Sequence, residues 1–256
     1  MTEQQNGRPL ALVTGSASGI GRAAALRLAR GGYDVTINYS RSKDRAEQTL
    51  AELHDVGGKH RAVQADVADD DAVQSLVTEA AAGGGRLDVL VNNAGTTSET
   101  PPKKLHDIDL DDWDRVMATN VRSIVQVVRA AETALREAGG SVVNVASIVG
   151  LRPGPQPLVY AASKAAVVSL TKTLSAVMAP QVRVNGVAPG WIAGEWMERT
   201  LGENYDRLME RRAKLTPLQR NVTLDDVAES IWAMATSHPF VTGEIMVIDG
   251  GFTATT

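Results

Sequence analysis

The chain has 256 residues, with 26 Lys and Arg against 30 Asp and Glu, and a formal net charge of −4. This acidic balance argues against a nucleic-acid-binding surface, and the length suffices for one large domain or two small ones. Because the chain contains no Cys, disulfides, thiolate metal sites and cysteine nucleophiles are excluded, and we expect no metal site.

Short apolar runs bounded by turn residues recur along the chain and predict buried strands. They cover residues 10–13, 35–37, 89–91, 142–145, 182–187 and 245–248. Segments with helical spacing lie between them, at residues 22–30, 43–54, 70–82, 113–137, 161–178 and 224–235. Because crossovers between parallel strands carry helices, this alternation predicts a doubly wound α/β fold. No linker interrupts it, so we expect a single domain over residues 1–256.

The amino end, residues 1–8, is polar and lacks the apolar core of a signal peptide. No apolar run approaches the roughly 18 residues that a membrane span needs. We therefore expect a cytoplasmic protein without membrane contact.

Residues 191–215 break the alternation and carry Trp191, Trp196 and Met197 among many charges. Ligands of open parallel sheets bind outside the carboxyl ends of the strands, so an insertion there predicts a substrate lid. A surface helix or an oligomer contact is the alternative.

A glycine-rich loop follows the first predicted strand directly and opens a helix. It reads Thr14-Gly15-Ser16-Ala17-Ser18-Gly19-Ile20-Gly21. Glycines at such a turn let backbone amides approach a pyrophosphate at the positive end of the helix. The spacing differs from the more common dinucleotide fingerprint, and a turn that binds nothing is the alternative. The loop predicts a dinucleotide site.

A second candidate site combines Tyr160 and Lys164, which lie one helical turn apart on the same face. A free phenol titrates near pH 10, and a fixed cation beside it favours proton transfer at neutral pH. Ser147 follows the strand 142–145, where its hydroxyl can polarise a carbonyl. Asn120 stands inside a predicted helix although Asn is a poor helix former. Taken singly, each has an ordinary interpretation as a cap, a solvent contact or a surface pair.

With these residues in this order, the chain resembles the short-chain dehydrogenase/reductase family from residue 10 to residue 252. The glycine loop, Asn92-Asn93-Ala94-Gly95, Pro189-Gly190 and Asp249-Gly250-Gly251 match family motifs. The pattern is most similar to 3-oxoacyl-acyl carrier protein reductases. The resemblance implies one Rossmann-type domain with a parallel seven-stranded sheet.

The resemblance also implies hydride transfer between a nicotinamide and a carbonyl or secondary alcohol. Tyr160 would exchange the proton, Ser147 would hold the carbonyl oxygen, and Lys164 would lower the tyrosine pKa and bind the nicotinamide ribose. Asn120 would anchor a relay water. The implied cofactor residues are Gly15, Ser18, Gly19, Ile20, Gly21, Ser40, Arg41, Asp66, Val67, Asn93, Ala94, Gly95, Tyr160, Lys164, Pro189, Gly190 and Ile192. Relatives form homotetramers through the carboxyl-terminal segment and two long helices, and we expect the same here.

One departure concerns the segment after Pro189-Gly190, where family members often carry a Thr that contacts the cofactor. Here Trp191-Ile192-Ala193-Gly194 offers none.

The end of the second strand bears on the choice between NAD and NADP. NAD enzymes place a carboxylate there for the adenosine ribose. This chain has Ser40, Arg41 and Ser42, with no acid before Asp44, and Arg41 can bind a 2′-phosphate. Ser18 stands where many NADP-dependent relatives have a basic residue. The missing acid and the present base favour NADP(H) over NAD(H).

The substrate is not determined by these motifs, because loops 96–105, 148–157 and 191–215 build its pocket. Arg152 can grip an anionic substrate, although an exposed loop arginine is the more ordinary interpretation. Our first hypothesis is reduction of a ketone such as a 3-oxoacyl thioester. Sugar, steroid and small-alcohol dehydrogenases of the same family are the alternatives, as is a cofactor-binding sensor without catalysis.

Overall fold

A computed structural model describes residues 7–81, 85–98 and 104–255. Within these ranges seven strands form one parallel sheet, in the spatial order β3-β2-β1-β4-β5-β6-β7. The strands are β1 (Leu10–Val13), β2 (Asp34–Tyr39), β3 (Arg61–Gln64), β4 (Val89–Asn92), β5 (Ser141–Val145), β6 (Arg183–Pro189) and β7 (Ile245–Ile248).

Ten α-helices connect and flank these strands in the described ranges. They are α1 (Gly19–Arg30), α2 (Lys43–Val56), α3 (Asp70–Ala81), α4 (Leu110–Met117), α5 (Ser123–Ala138), α6 (Leu158–Met178), α7 (Glu195–Leu201), α8 (Tyr205–Leu215), α9 (Leu224–Thr236) and α10 (Phe252–Thr255). None of them is both long and apolar enough to cross a membrane.

The sheet buries both faces because side chains alternate along each strand. In β1, Ala11 and Val13 pack into a core with α1 and α9, where Leu28 and Ile231 are fully buried. Leu12 points to the opposite core, formed with α3 and α5. The two cores confirm the predicted doubly wound fold.

The strand order reverses between β1 and β4. Val13 pairs with Ile37 of β2 on one side and with Val91 of β4 on the other. Loops that leave the carboxyl ends of β1 and β4 therefore diverge, and a crevice opens between them. This crevice is where a ligand of such a sheet is expected.

One strand lies outside the six apolar runs. β3 (Arg61–Gln64) forms the edge of the sheet and pairs only with β2. Of its four residues only Ala62 and Val63 are apolar, while Arg61 is partly exposed and Gln64 is exposed. A run this short carries no periodicity, which explains why the sequence did not predict the strand.

The predicted helix 113–137 is wrong in its interior. A wider π-helical turn, Ala118–Arg122, separates α4 from α5. Asp109 caps α4 by accepting a hydrogen bond from the Asp111 amide, so the helix begins earlier than predicted. Such π turns occur frequently at functional sites, and this one contains Asn120.

Residues 191–215 include the helices α7 and α8, which bury Met197 and Met209 respectively. Their closure over a substrate stays a prediction. Residue 82 of the predicted third helix, residues 99–103 of the predicted substrate loop and residues 1–6 of the amino end lie outside the described residues.

Candidate active site

Three glycines shape the loop between β1 and α1. Gly15 has a φ of +60°, and a Cβ there would lie 2.7 Å from Cα of Ala94. A Cβ at Gly21 would lie 2.5 Å from Nδ2 of Asn93. Gly19 has a φ of +57° with open space in front of it. Two glycines therefore permit close packing against the loop after β4, and the third leaves backbone accessible from the crevice.

The first turn of α1 presents its backbone amides to that crevice. Ser18 precedes the helix and makes no side-chain cap hydrogen bond, and the first turn contains no acidic residue. Amides at a helix N-terminus that the chain leaves unsatisfied attract anions. This end of α1 fits the pyrophosphate of a dinucleotide.

Two asparagines hold the glycine loop in place. Oδ1 of Asn38 accepts a hydrogen bond from the Gly15 amide at 3.1 Å, and its Nδ2 donates to the carbonyl of Ala65 at 3.0 Å. Nδ2 of Asn93 donates to the carbonyls of Thr14 and Gly15 at 3.0 and 2.9 Å. Asn38 is buried. Asn38 was not among the predicted site residues, although a polar residue directly after the apolar run 35–37 was a signal.

The opposite side of the α1 N-terminus is formed by residues after β2 and β3. Ser40, Arg41, Asp66 and Val67 line the crevice there. The Asp66 carboxylate accepts a hydrogen bond from the Ala68 amide at 3.0 Å. Arg41 is exposed, and its guanidinium makes no hydrogen bond or ion pair with the residues the structure describes. This guanidinium is therefore available to a ligand.

Ser147, Tyr160 and Lys164 meet at the other end of the crevice. Ser147 follows β5, and its hydroxyl shares a hydrogen bond with the phenol of Tyr160. Nζ of Lys164 donates to the carbonyl of Val145 at 2.8 Å and lies 5.7 Å from the centroid of the Tyr160 ring. A hydroxyl, a phenol and an ammonium group thus converge where a carbonyl oxygen can be bound and protonated.

Burial changes the proton affinity of both titrating groups. It raises the pKa of Tyr160 to about 12, against the opposing effect of the hydrogen bond with Ser147. Burial also lowers the pKa of Lys164 to about 8. At pH 7 the phenol therefore carries its proton and the ammonium is mostly charged. The lowering of the tyrosine pKa that the family resemblance implies is outweighed here by burial, and it stays a prediction for the cofactor-bound protein.

Asn120 lies behind this end of the crevice. Its Oδ1 accepts from the Thr96 amide at 2.7 Å, and its Nδ2 donates to the Thr96 carbonyl and to Oγ of Ser163, both at 2.9 Å. A Cβ at Gly95 would lie 3.5 Å from this Oδ1 and 3.7 Å from Nζ of Lys164. Asn120 therefore ties the loop after β4 to α6. Its role toward a relay water stays a prediction, and Ser163 was not predicted.

The segment after β6 forms the wall facing the α1 N-terminus. A Cβ at Gly190 would lie 2.8 Å from Cβ of Asp249, so the turn after Pro189 packs directly on the carboxyl-terminal segment. Ile192 pairs with Val222 through an isolated β-bridge. This pairing fixes the backbone at Ile192, which lines the crevice.

The helix α7 of the predicted lid lines the crevice and brings Glu195 to it, which was not singled out from the sequence. Glu195 forms two hydrogen bonds with Arg45 of α2, at 2.8 and 3.0 Å. The Trp196 ring lies 6.3 Å from the Tyr160 ring, centroid to centroid. The start of the predicted lid is therefore tied to both ends of the crevice.

All these surfaces belong to one cleft of about 1220 Å³. Sites for small molecules typically enclose about 300–1,000 Å³, so this cleft has room for a dinucleotide together with a substrate. Every predicted site residue lines it except Gly21 and Asn120, which support it from behind. Arg152 is not among the lining residues; its guanidinium lies 5.7 Å from the Phe252 ring. In the described ranges, no three His, Asp or Glu side chains cluster as metal ligands.

Several known proteins are similar to this chain over nearly its whole length. A family model described as enoyl-(acyl carrier protein) reductase matches residues 15–253. A ketoacyl reductase assigned to the granaticin polyketide synthase of Streptomyces violaceoruber is 39% identical, over 95% of each chain. The 3-oxoacyl-[acyl-carrier-protein] reductase of Staphylococcus epidermidis is 35% identical, over 94% of this chain and 97% of its own length.

Solved structures are also similar. A tryptophan variant of actinorhodin polyketide ketoreductase, determined with NADPH, superimposes with a TM-score of 0.87 at 28% identity, covering 96% of this chain and 97% of that one. An NAD+-bound xylitol dehydrogenase superimposes with a TM-score of 0.84 at 27% identity, covering 97% of this chain and 100% of that one. Both similar structures hold a nicotinamide cofactor.

Proposed function

Because the chain belongs to the short-chain dehydrogenase/reductase family and is an NAD(P)-dependent oxidoreductase, we propose that it reduces a 3-oxoacyl thioester or a closely similar ketone with NADPH. The observation that carries the proposal is the hydrogen-bonded Ser147 and Tyr160 beside Lys164, in the same cleft as the uncapped N-terminus of α1. The relatives of highest identity described above are named for reduction of ketoacyl or 3-oxoacyl groups.

The bound nicotinamide would supply the hydride that reduces the carbonyl carbon. The chain's own residues do the rest. Ser147 donates a hydrogen bond to the carbonyl oxygen and orients it. Tyr160, which carries its proton at neutral pH, donates that proton to the same oxygen. Lys164 stabilises the phenolate that forms, because a cation nearby lowers the free energy of a developing negative charge.

A panel of ketones tests this function directly. The panel contains the N-acetylcysteamine thioester of 3-oxohexanoate, a keto sugar, a steroid ketone and a small cyclic ketone, and the loss of NADPH absorbance reports turnover. We expect the thioester to give the highest kcat/KM. A higher kcat/KM for any other member would move the protein to another substrate class of the family, and no turnover at all would favour a cofactor-binding sensor.

NADPH is proposed over NADH on the strength of Arg41. Its guanidinium is unengaged among the described residues, and no carboxylate follows β2 before Asp44. A charge-assisted hydrogen bond to a 2′-phosphate contributes about 1.5–3 kcal/mol. Of the similar solved structures, the ketoreductase was determined with NADPH, whereas the xylitol dehydrogenase is bound to NAD+ and represents the alternative.

Replacing Arg41 with Glu is expected to lower kcat/KM for NADPH by about 10- to 100-fold and to reverse the cofactor preference. The new carboxylate repels the 2′-phosphate and accepts a hydrogen bond from the 2′-hydroxyl of NADH. Lys43→Glu is the matched control, because Lys43 undergoes the same charge change while its side chain pairs with Glu47 outside the cleft lining. A wild-type kcat/KM for NADPH no better than that for NADH would contradict the assignment.

A homotetrameric assembly and a cytoplasmic location complete the proposal. Both follow from the family resemblance and from the sequence, and they stay predictions.

A further inference from the structure

Aromatic side chains are scarce in this chain, which has four Trp, four Tyr and two Phe, yet they concentrate at one end of the cleft. Tyr160, Trp191 and Trp196 line it. Tyr205 accepts a hydrogen bond from the Gly194 amide at 3.1 Å, directly before α7. Phe252 contacts Arg212, which also lies 4.3 Å from the Trp191 ring centroid. The proton-donating end of the cleft is therefore also its aromatic end.

Trp196 differs from the other three tryptophans, all of which lie in the described residues. Trp113, Trp191 and Trp232 are partly buried, whereas 38% of Trp196 is exposed. The Trp232 ring is covered by Arg27 at 4.1 Å and meets the edge of Tyr33. Exposed aromatic surface inside a concave site is typical of a surface that a ligand covers.

The indole of Trp196 lies close to the phenol that is proposed to protonate the substrate. Its centroid lies 6.3 Å from that of Tyr160, with the ring planes inclined at 44°. A ketone that accepts a hydrogen bond from the Tyr160 hydroxyl therefore places its substituents beside Trp196. The neighbouring Met197 is buried, which anchors α7 to the protein beside the exposed indole.

Contacts made by neighbouring residues of α7 position the indole and the start of its helix. The guanidinium of Arg199 lies 5.8 Å from the Trp196 ring centroid. Glu195, the preceding residue, is fixed to Arg45 by two hydrogen bonds. A flat apolar surface that is positioned before the substrate arrives binds with less loss of conformational entropy than a mobile one.

We propose that Trp196 forms a stacking subsite for a planar ring carried by the substrate. The substrate class is then a ketone, of the 3-oxoacyl type, that bears an aromatic or unsaturated ring within a few bonds of the carbonyl. Offset stacking on an indole favours such a ring over a linear alkyl chain of similar area. This inference rests on the proposed function, since it places the ring relative to Tyr160.

The test compares two N-acetylcysteamine thioesters with the same number of acyl carbons, 3-oxo-4-phenylbutanoyl and 3-oxodecanoyl, which differ only in whether the end of the chain is a ring or linear. We expect the wild-type enzyme to prefer the phenyl substrate in kcat/KM. Trp196→Ala is expected to raise KM for the phenyl substrate about tenfold and to leave KM for the linear one nearly unchanged, while Trp196→Phe keeps most of the preference. Phe240→Ala is the control, because it removes a fully exposed aromatic ring outside the cleft lining. It should leave the ratio of kcat/KM for the phenyl substrate to that for the linear substrate unchanged.

A binding measurement separates the failure of this inference from the failure of the proposed function. Calorimetric titration of the phenyl thioester into NADPH-loaded Tyr160→Phe protein needs no turnover. Weaker binding after the additional Trp196→Ala change supports the ring subsite even if no ketone is reduced. Equal affinity with and without the indole, or equal loss on both thioesters, overturns the subsite while ketone reduction stands.

Discussion

Tyr160→Phe is expected to lower kcat for ketone reduction by about 10²- to 10⁴-fold, the range that a positioned general acid contributes. The variant keeps the ring that faces Trp196 and removes only the hydroxyl that Ser147 contacts. Without that hydroxyl, the group that donates its proton to the developing alkoxide is lost. The affinity for NADPH should change little, because the glycine loop and the α1 N-terminus are untouched.

Tyr39→Phe is the matched control for this experiment. Tyr39 ends β2, packs against the core beside α1 and does not line the cleft. Its variant should reduce the ketone at the wild-type rate. Retention of more than a small part of the activity in Tyr160→Phe would show that the proton comes from elsewhere.

Lys164→Met is the second change with a large expected effect: it should lower the activity and raise the stability of the protein. Loss of the ammonium removes the charge that stabilises the Tyr160 phenolate, so kcat should fall by about 10²-fold or more. The same change should make the protein more stable at neutral pH. Lys164 is 5% exposed and burial lowers its pKa from 10.5 to about 8, so the charged form destabilises the fold.

The pH window of that destabilisation follows from the two pKa values. Below about pH 8 Lys164 is charged in both states, and the unfavourable burial of about 3 kcal/mol is fully present. Between pH 8 and 10.5 the unfolded chain binds the extra proton, so stability rises with pH. Lys164→Met also loses the hydrogen bond to the Val145 carbonyl, which reduces the expected stabilisation by about 1 kcal/mol. We expect the free energy of unfolding of Lys164→Met to exceed that of the wild type by about 2 kcal/mol at pH 7. This difference should disappear by about pH 10.5.

Urea denaturation of both proteins across this pH range measures the difference. Tyr160 acts in the opposite direction, because its pKa is raised from 10.0 to about 12 and stability falls as pH rises between these values. That contribution arises mainly above pH 10.0, so the comparison of pH 7 with pH 10 is little affected by it. If Lys164→Met and the wild type differ in stability by the same amount at pH 7 and pH 10, the claim that burial of the charged Lys164 destabilises the fold is contradicted.

The central sheet and the catalytic residues could be predicted because their signals are local. Strands buried on both faces give continuous apolar runs, such as residues 89–91 of β4, which are all buried. Tyr160 and Lys164 are one helical turn apart, so their proximity follows from helix geometry alone. β3 and the π-helical turn at Asn120 lacked such a signal, since an edge strand has few apolar residues and local spacing does not distinguish a wider turn.

The parts that escaped prediction depend on contacts between distant segments. Asn120 reaches Ser163 across 43 residues, and Arg45 reaches Glu195 across 150. Asn38 supports the Gly15 amide from the neighbouring strand. Nothing in the spacing of these residues indicates that they meet. Their partners are set by the order of strands in the sheet and by the path of α7 over its edge.

Isotope transfer tests the central claim most directly. The enzyme is incubated with NADPH that carries deuterium at the transferable position of C4 and with the 3-oxohexanoyl thioester, and the product is analysed by mass spectrometry. We expect a 3-hydroxy thioester with one deuterium on the new carbinol carbon, formed by the wild type and nearly absent with Tyr160→Phe. Alcohol without deuterium, or oxidation of NADPH without alcohol, would contradict direct transfer to the ketone in this cleft.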